Sequence, residues 1–96
     1  MNKLEEAREI INEVDEKMIE LFIRRMAAVR LVAEYKLENN MPVLDSSREG
    51  EIKAKNCEML CNKVLEKYYL EFFEGVLRSS KDYQFYMIEE YQKRNK

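Results

Sequence analysis

The stretch that decides the fold is LEEAREIINEVDEKMIELFIRRMAAVRLVAEYKLEN, residues 4–39. It contains no glycine and no proline, and its apolar side chains recur at a heptad-like spacing. The members of this apolar stripe are Ile11, Val14, Met18, Leu21, Ala28, Val32 and Tyr35, widened by Phe22, Met26 and Val29. The pattern predicts one uninterrupted helix that ends at about Asn39, because Pro42 disfavours a helical residue before it.

A helix of this length is too long for one small chain to cover. About 36 residues at 1.5 Å per residue span about 54 Å. A compact domain of 96 residues has a radius of gyration of only about 12–13 Å. The helix must therefore either protrude or pack against a second copy of the chain. Because the apolar stripe follows most of the helix, the sequence favours the second arrangement, a homodimer.

The rest of the chain predicts two more helices. After a loop at residues 41–45, Ser46 as N-cap and Glu49 three residues later match a capping box that opens a shorter helix. A phase shift at residues 67–70 places the start of a third helix near Leu70. The apolar positions are Ile52, Met59, Leu60 and Val64 in the second helix, and Phe72, Phe73, Val76, Leu77, Tyr83, Met87 and Ile88 in the third. The predicted fold is all-α, one domain at residues 1–96 with a long first, a short second and a long third helix.

The composition excludes several classes of protein. Charged residues make up 38% of the chain, which has two glycines and one proline, a balance that suits long helices and not a sheet. No apolar run approaches the roughly 18 residues that span a bilayer, so no membrane association is expected. The first residues lack the apolar stretch of a signal peptide, so the cytoplasm is the expected location. The net charge of −2 argues against nucleic acid as a partner.

The two cysteines do not indicate a metal or redox site. Cys57 and Cys61 are four residues apart, on one face of any helix there, and a disulfide within a helix has poor geometry. The chain has no histidine, so a zinc site would have too few ligands. We therefore interpret both as ordinary helix residues and expect no metal.

Two cations fall where apolar residues are expected. Arg25 occupies the heptad position between Met18 and Val32. Lys36 lies eleven residues further on, which at about 100° per residue leaves it about 20° away in phase. A buried unpaired cation costs several kcal/mol. Either the long side chains reach solvent at the edge of the face, or a buried acid or an anionic ligand pairs with them.

Four other polar positions have simple structural interpretations. Arg8 is seventeen residues before Arg25 and about 100° out of phase, so it points away from any pocket that Arg25 lines. Alone it is a solvated residue, although in an antiparallel helix pair it could reach a partner's site. Arg48 is an exposed first-turn residue by its position. Ser80 and Gln84, four residues apart beside an apolar face, are typical of boundary positions.

The order and spacing of these residues resemble the all-helical chorismate mutases over most of the chain. In this family, an arginine and then an aspartate open the first helix, further basic residues follow on it, and polar residues begin the second helix and recur on the last. The matching segments are Arg8-Glu9-Ile10-Ile11, Val14-Asp15-Glu16-Lys17, Arg24-Arg25, Val32 with Lys36, Pro42-Val43, Asp45, Arg48-Glu49, Phe72-Phe73-Glu74, Ser79-Ser80 and Gln84. Each segment is a weak signal, and their shared order makes a strong one.

The resemblance implies an isomerase of the shikimate pathway that converts chorismate to prephenate in aromatic amino-acid biosynthesis. This is a pericyclic (Claisen) rearrangement that needs no cofactor and no covalent enzyme intermediate, which agrees with a chain that has no plausible nucleophile–base pair. The family's fold is three helices per chain, interlocked as a homodimer with two equivalent sites. The implied pocket is lined by Arg25, Lys36, Asp45, Arg48, Glu49, Ser80 and Gln84, with Arg8 entering from the partner chain.

Each of these residues has an implied role. The catalytic set is Arg25, Lys36, Glu49 and Gln84. Lys36 and Gln84 would contact the ether oxygen of chorismate, and Glu49 would accept a hydrogen bond from the ring hydroxyl. The substrate-binding set is Arg8, Arg25, Asp45, Arg48 and Ser80. In this set, Arg8 of the partner chain and Arg25 would bind the substrate carboxylates, because guanidinium groups bind carboxylates bidentately. Backbone near Asp45 would assist Glu49, and Arg48 and Ser80 would orient the substrate or the cations.

Two other functions are open at this point. Isochorismate pyruvate lyases share this fold and use much the same cations, and a non-catalytic helical dimerisation or regulatory module would share the helix pattern. The chain also departs from the family at Gly50, an uncommon residue in a first helical turn, and at Leu44, Ser46 and Ser47 in a loop where charged or polar residues are expected. These departures concern the geometry of the loop and not the chemistry.

Overall fold

A computed structural model describes residues 1–95 and contains three helices. They are α1 (Lys3–Glu38), α2 (Ser46–Leu60) and α3 (Lys63–Arg94). There is no strand in residues 1–95, so the predicted all-α fold of a long, a short and a long helix is confirmed. α3 packs against both α1 and α2, and it therefore supplies one wall of any cleft between the helices.

The long first helix has the bounds that its sequence predicts. At its start, the side chain of Asn2 accepts a hydrogen bond of 2.9 Å from the backbone N–H of Glu5. At its end, Asn40 adopts a left-handed conformation with φ 52°, which asparagine tolerates better than most residues. The chain then turns back toward α3 through Pro42 and Val43.

The N-cap of α2 is Asp45, and the prediction of Ser46 was wrong by one residue. The Asp45 carboxylate accepts a hydrogen bond of 3.0 Å from the backbone N–H of Arg48. Aspartate caps a helix as well as serine does, and its negative charge is also stabilised at the positive end of the helix dipole. Glu49 consequently lies one position beyond the capping box, and its carboxylate is not used to close it.

The boundary between α2 and α3 also differs from the prediction. Cys61 ends α2 in a left-handed conformation with φ 48°, and the side chain of Asn62 caps α3 by accepting a 3.1 Å hydrogen bond from Leu65. The third helix therefore begins at Lys63 and not near Leu70. Cys61 lies outside α2, so the two cysteines do not share a helix face. Val64 lies in α3, where its side chain is exposed.

The core is small and lies where the second half of α1 packs on α3. The buried apolar residues are Val29, Ala33, Val43, Phe73 and Leu77. Phe73 and Leu77 were predicted as core residues of the third helix, and Val29 as part of the apolar stripe of the first. Phe72 was predicted as core but is 53% exposed. Periodicity alone does not distinguish neighbouring positions such as Phe72 and Phe73, because both lie near the centre of a wide apolar face.

The first half of α1 extends beyond this core. Every residue from 1 to 24 is exposed, and the stripe residues Ile11 and Leu21 are 55% and 60% exposed. The radius of gyration is 17.2 Å, against about 12–13 Å for a compact domain of this size, and the chain extends 60 × 27 × 15 Å. The stripe is therefore uncovered in the single chain. None of the helices in residues 1–95 is both long and apolar enough to cross a membrane.

Candidate active site

A cleft of about 210 Å³ lies between the second half of α1, the loop that follows it, the start of α2 and the middle of α3. Its apolar walls are Val29, Val32, Val43, Ile52 and Leu77. Its polar lining consists of Arg25, Lys36, Asp45, Arg48, Glu49, Ser80, Lys81 and Gln84. All seven residues that the sequence places in one chain's pocket thus line one cleft, although 59 positions separate the first from the last.

Arg25 is held from two sides. Its Nη1 donates a hydrogen bond to Ser80 Oγ, and Ser80 Oγ in turn donates to the Val76 carbonyl at 2.9 Å. The guanidinium lies over the ring of Phe73, with 5.9 Å between Cζ and the ring centroid. These contacts fix the orientation of the guanidinium while using only one of its five N–H groups. Ser80 is buried rather than at a boundary, and it serves as the acceptor that orients Arg25.

Lys36 connects α1 to the loop that leads into α2. Its Nζ donates a hydrogen bond of 2.9 Å to the backbone carbonyl of Val43, which is itself buried. An ammonium group has three donors, so two are left for a ligand in the cleft. This bond explains why a lysine occupies a position in phase with the apolar stripe: its stem packs in the interior and its head reaches the cleft.

Gln84 lines the cleft with a carboxamide whose oxygen accepts no hydrogen bond from the part of the chain that the structure describes. Its side chain is buried, and Oε1 has no hydrogen-bond partner within residues 1–95. Leaving such a group unpaired costs about 1–3 kcal/mol. Rotating the amide by 180° would present the NH₂ group in place of the oxygen. A ligand atom in the cleft that bonds to this carboxamide would remove that cost.

The start of α2 brings Asp45, Arg48 and Glu49 to the mouth of the cleft. Asp45 uses Oδ1 of its carboxylate to cap the helix, and its backbone carbonyl accepts from the N–H of Glu49, which leaves its second carboxylate oxygen and its own N–H to a ligand. Glu49 forms an ion pair with Lys81 of α3, with 2.9 Å between Oε1 and Nζ. Lys81 was not predicted. It lies four residues after Leu77 and three before Gln84, so helical periodicity would have placed it on the same face of α3.

The cleft is positively charged. Four cations (Arg25, Lys36, Arg48 and Lys81) face two carboxylates (Asp45 and Glu49), which leaves 4 − 2 = +2. Only Lys81 among these cations has a carboxylate within ion-pair distance in residues 1–95. Three cations are therefore left for a ligand. A cleft with a net positive charge and apolar walls attracts a small molecule that carries two negative charges.

A larger cavity of about 620 Å³ near the α2–α3 turn has no excess of positive charge, because two lysines (Lys53 and Lys63) and two glutamates (Glu58 and Glu66) line it. It is lined by Cys57 and Cys61 among other residues, and both thiols are free. Burial raises the pKa of the Cys57 thiol above its ordinary value, and the nearby Glu66 carboxylate raises it further. A thiol that stays protonated is a poor nucleophile. No group of three or more histidine, cysteine or acidic side chains within residues 1–95 could hold a metal.

Arg8 does not reach this cleft in its own chain. It is exposed on the uncovered half of α1, seventeen residues before Arg25, which is about 25 Å along the helix. This position agrees with the phase difference between the two arginines. Its entry into a partner's cleft stays a prediction.

Comparison with known proteins identifies the family. The model of the family described as chorismate mutase type II matches residues 7–85, which include every polar residue of the cleft. The chain is also similar to the chorismate mutase of Methanocaldococcus jannaschii. The two are 32% identical over 98 aligned positions, which cover 100% of this chain and 98% of that relative. No solved structure matches the chain at a significant level. With a match of this extent to both the family and a full-length relative, the chain belongs to the chorismate mutase type II family.

Proposed function

We propose that this protein converts chorismate to prephenate, as a cofactor-free isomerase in aromatic amino-acid biosynthesis. The observation that carries the proposal is the cleft itself. It gathers the polar residues that the family resemblance predicts, and it leaves three cations without a carboxylate partner. Chorismate carries two carboxylates, so the charge of the cleft matches the charge of the substrate.

The rearrangement places two demands on the protein. One C–O bond breaks as one C–C bond forms, so the substrate must be held in a compact reactive conformer, and negative charge that develops on the ether oxygen must be stabilised. Arg25 suits the first demand because Ser80 and Phe73 already fix its guanidinium, so little side-chain entropy is lost when it binds a carboxylate bidentately.

Lys36 and Gln84 suit the second demand. Lys36 keeps two ammonium donors after its bond to Val43, and Gln84 has a carboxamide with unused hydrogen-bonding capacity. Donors that are fixed before the reaction stabilise developing charge without reorganisation during it. We assign both residues to the ether oxygen, and Lys36 also to a substrate carboxylate.

The remaining residues of the cleft orient the substrate. Glu49 is assigned to the ring hydroxyl as hydrogen-bond acceptor, together with the backbone near Asp45. Arg48 is assigned to the orientation of the substrate, and Ser80 to the positioning of Arg25. These roles are supported by the position of each group around the cleft and by the donors and acceptors that each has left.

We also propose that the active form is a homodimer in which Arg8 of each chain completes the partner's cleft. The support is the uncovered apolar stripe of α1, on the half of the helix that carries Arg8. The cytoplasmic location and the assignment of residues 1–96 to one domain stay predictions.

The direct test is an ultraviolet assay that follows the loss of chorismate, with prephenate identified as the product. Isochorismate is offered in parallel. Release of pyruvate from isochorismate without turnover of chorismate would assign the chain to the lyase activity instead. If neither substrate reacts and a dicarboxylate analogue causes no thermal shift, the chain would be a non-catalytic module.

A further inference from the structure

Lys81 is the residue of the cleft that neither the sequence pattern nor the proposed mechanism uses. Its ammonium forms an ion pair with Glu49 Oε1 at 2.9 Å, and the side chains of Lys81 and Glu49 are 30% and 24% exposed. The pair joins the middle of α3 to the first turn of α2, at the edge of the cleft.

We propose that Lys81 is a positioning residue that holds Glu49 ready to accept the hydrogen bond of the substrate's ring hydroxyl. This inference rests on the proposed function. Lys81 occupies one carboxylate oxygen of Glu49, which leaves the other oxygen to the cleft. Charge-assisted hydrogen bonds are the stronger and more directional kind, so one such bond restricts the rotamer of a glutamate.

The start of α2 gives Glu49 little other support. The helix is capped by Asp45, so no capping box ties the Glu49 side chain to the backbone. Gly50 follows, and a Cβ placed there would meet nothing within 4 Å, so this turn packs against no neighbour on that side. The cross-helix ion pair is thus the contact that fixes Glu49.

Lys81 also raises the net positive charge of the cleft. Without it, three cations would face two carboxylates, and the net charge would fall from +2 to 3 − 2 = +1. The unpaired Glu49 carboxylate would then repel a substrate that carries two carboxylates of its own. The lysine lets the site keep a hydrogen-bond acceptor at the ring hydroxyl without losing affinity for a dianion.

A matched pair of variants tests this role. Lys81→Met removes the charge and keeps the aliphatic stem. Lys53→Met makes the same change in the other ion pair between α2 and α3, that of Lys53 with Glu74, which lies outside the cleft. Lys53 makes its ion pair with Glu74, whereas the ion-pair partner of Glu49 is Lys81, so this control leaves the pair of Glu49 in place. Thermal melts and circular dichroism confirm that both variants fold.

The wild-type protein is assayed first, because no turnover of chorismate by the wild type would overturn the proposed function and the role of Lys81 with it. Given turnover, we expect Lys81→Met to lower kcat/KM about tenfold, within the range of coupling between contacting residues. Lys81→Arg should restore most of the loss, and Lys53→Met should stay near wild type. Unchanged kcat/KM in Lys81→Met, or an equal loss in Lys53→Met, would overturn the inference while the proposed function stands.

A double-mutant cycle separates positioning from direct binding. If Lys81 acts through Glu49, Lys81→Met should change kcat/KM little in a Glu49→Gln background, because no carboxylate is left to hold. If the two losses multiply, Lys81 acts on the substrate independently of Glu49, and the positioning role is wrong.

Discussion

At the scale of single residues, the informative signal is a polar group whose place in the sequence conflicts with its local pattern. Arg25 and Lys36 lie at positions of α1 where helical periodicity predicts apolar residues. The structure explains both positions, because Arg25 donates a hydrogen bond to Ser80 and Lys36 donates one to the Val43 carbonyl. Ser80 and Gln84 gave a weaker signal, since polar residues beside an apolar face are common. Their burial is what distinguishes them from boundary residues.

Lys36 and Gln84 can be tested separately from the fold. If both donate to the ether oxygen, Lys36→Ala and Gln84→Ala should each lower kcat by about 10²-fold, the scale of losing one oxyanion-type donor. Steady-state kinetics measures the loss, and circular dichroism checks that the helices persist. Arg30→Ala on α1 is a suitable control, because Arg30 pairs with Glu34 on the exposed surface. Near wild-type turnover in Lys36→Ala would reject its assignment.

At the scale of helices, the capping residues decide boundaries that apolar periodicity leaves open. Asp45 and Asn62 begin α2 and α3, and each accepts a hydrogen bond from a backbone N–H three residues on. The sequence contained both signals, since aspartate and asparagine are favoured N-caps. Several adjacent candidates compete at residues 45–47, however, and the apolar pattern continues across Asn62. Local propensity therefore predicted the helices but not their first residues.

The ion pair between Lys53 on α2 and Glu74 on α3 makes the packing of these helices depend on pH. The hydrogen bond from Lys53 lowers the pKa of Glu74, and the same bond raises the pKa of Lys53. The stability from Glu74 is therefore present above its unfolded-state pKa and lost as pH falls through the lowered folded-state value. The stability from Lys53 is present below its unfolded-state pKa and lost as pH rises through the raised one.

Urea unfolding across pH tests this dependence. The free energy of unfolding of Glu74→Gln should lie below that of wild type near neutrality, and the two should converge in acid. The difference should be small because both side chains are partly exposed to solvent. Glu71→Gln, on the same helix and in no ion pair within residues 1–95, should match wild type throughout. A difference for Glu74→Gln that is constant with pH would contradict the role of the pair.

At the scale of the whole molecule, the first half of α1 is the part that no other element in residues 1–95 covers. Its stripe is exposed over more than twenty residues, whereas monomeric proteins rarely expose an apolar surface so continuous. A second copy of the chain offers a stripe of the same pattern, and a two-fold axis would pair the two surfaces with each other.

The protein should accordingly be dimeric at micromolar concentration, with an unfolding midpoint that rises with protein concentration. Light scattering and denaturant titrations measure both properties. Leu21→Lys places a charge in the stripe and should weaken the dimer. Glu20→Lys places a lysine at the adjacent polar position, where it changes the charge by two units and removes an exposed pair with Lys17, and it should not weaken the dimer. A stable and active wild-type monomer would contradict the homodimer.

The cross-chain role of Arg8 can be tested by mixing subunits. Arg8→Ala and Arg25→Ala homodimers should both be nearly inactive, because each loses a charged contact worth about 1.5–3 kcal/mol per hydrogen bond. When equal amounts are unfolded together and refolded, half of the dimers are mixed, and one cleft in each mixed dimer has neither substitution. Activity should return to roughly a quarter of wild type, by two-fold symmetry.

The alternative arrangement predicts a different result from the same mixture. If both arginines served the cleft of one chain, every cleft would still carry one substitution, and mixing would restore nothing. Size-exclusion chromatography and helicity measurements confirm that dimers have formed. A mixture that stays inactive under those conditions would exclude Arg8 from the partner's site.

The sequence by itself determined the all-α fold, the length of α1 and the presence of two cations, Arg25 and Lys36, on the apolar face of that helix. These features depend only on periodicity within one segment. With the family resemblance, it also predicted seven of the eight polar residues that line the cleft in one chain. Only the tertiary structure decided which residues contact each other. The bond from Arg25 to Ser80 and the pair of Glu49 with Lys81 join different helices, so they depend on how α3 packs against α1 and α2. Helical periodicity places Lys81 on the face of α3 that carries Leu77 and Gln84, but it contains no information on how α3 packs against α2. The pair of Lys81 with Glu49 therefore could not be predicted from the sequence.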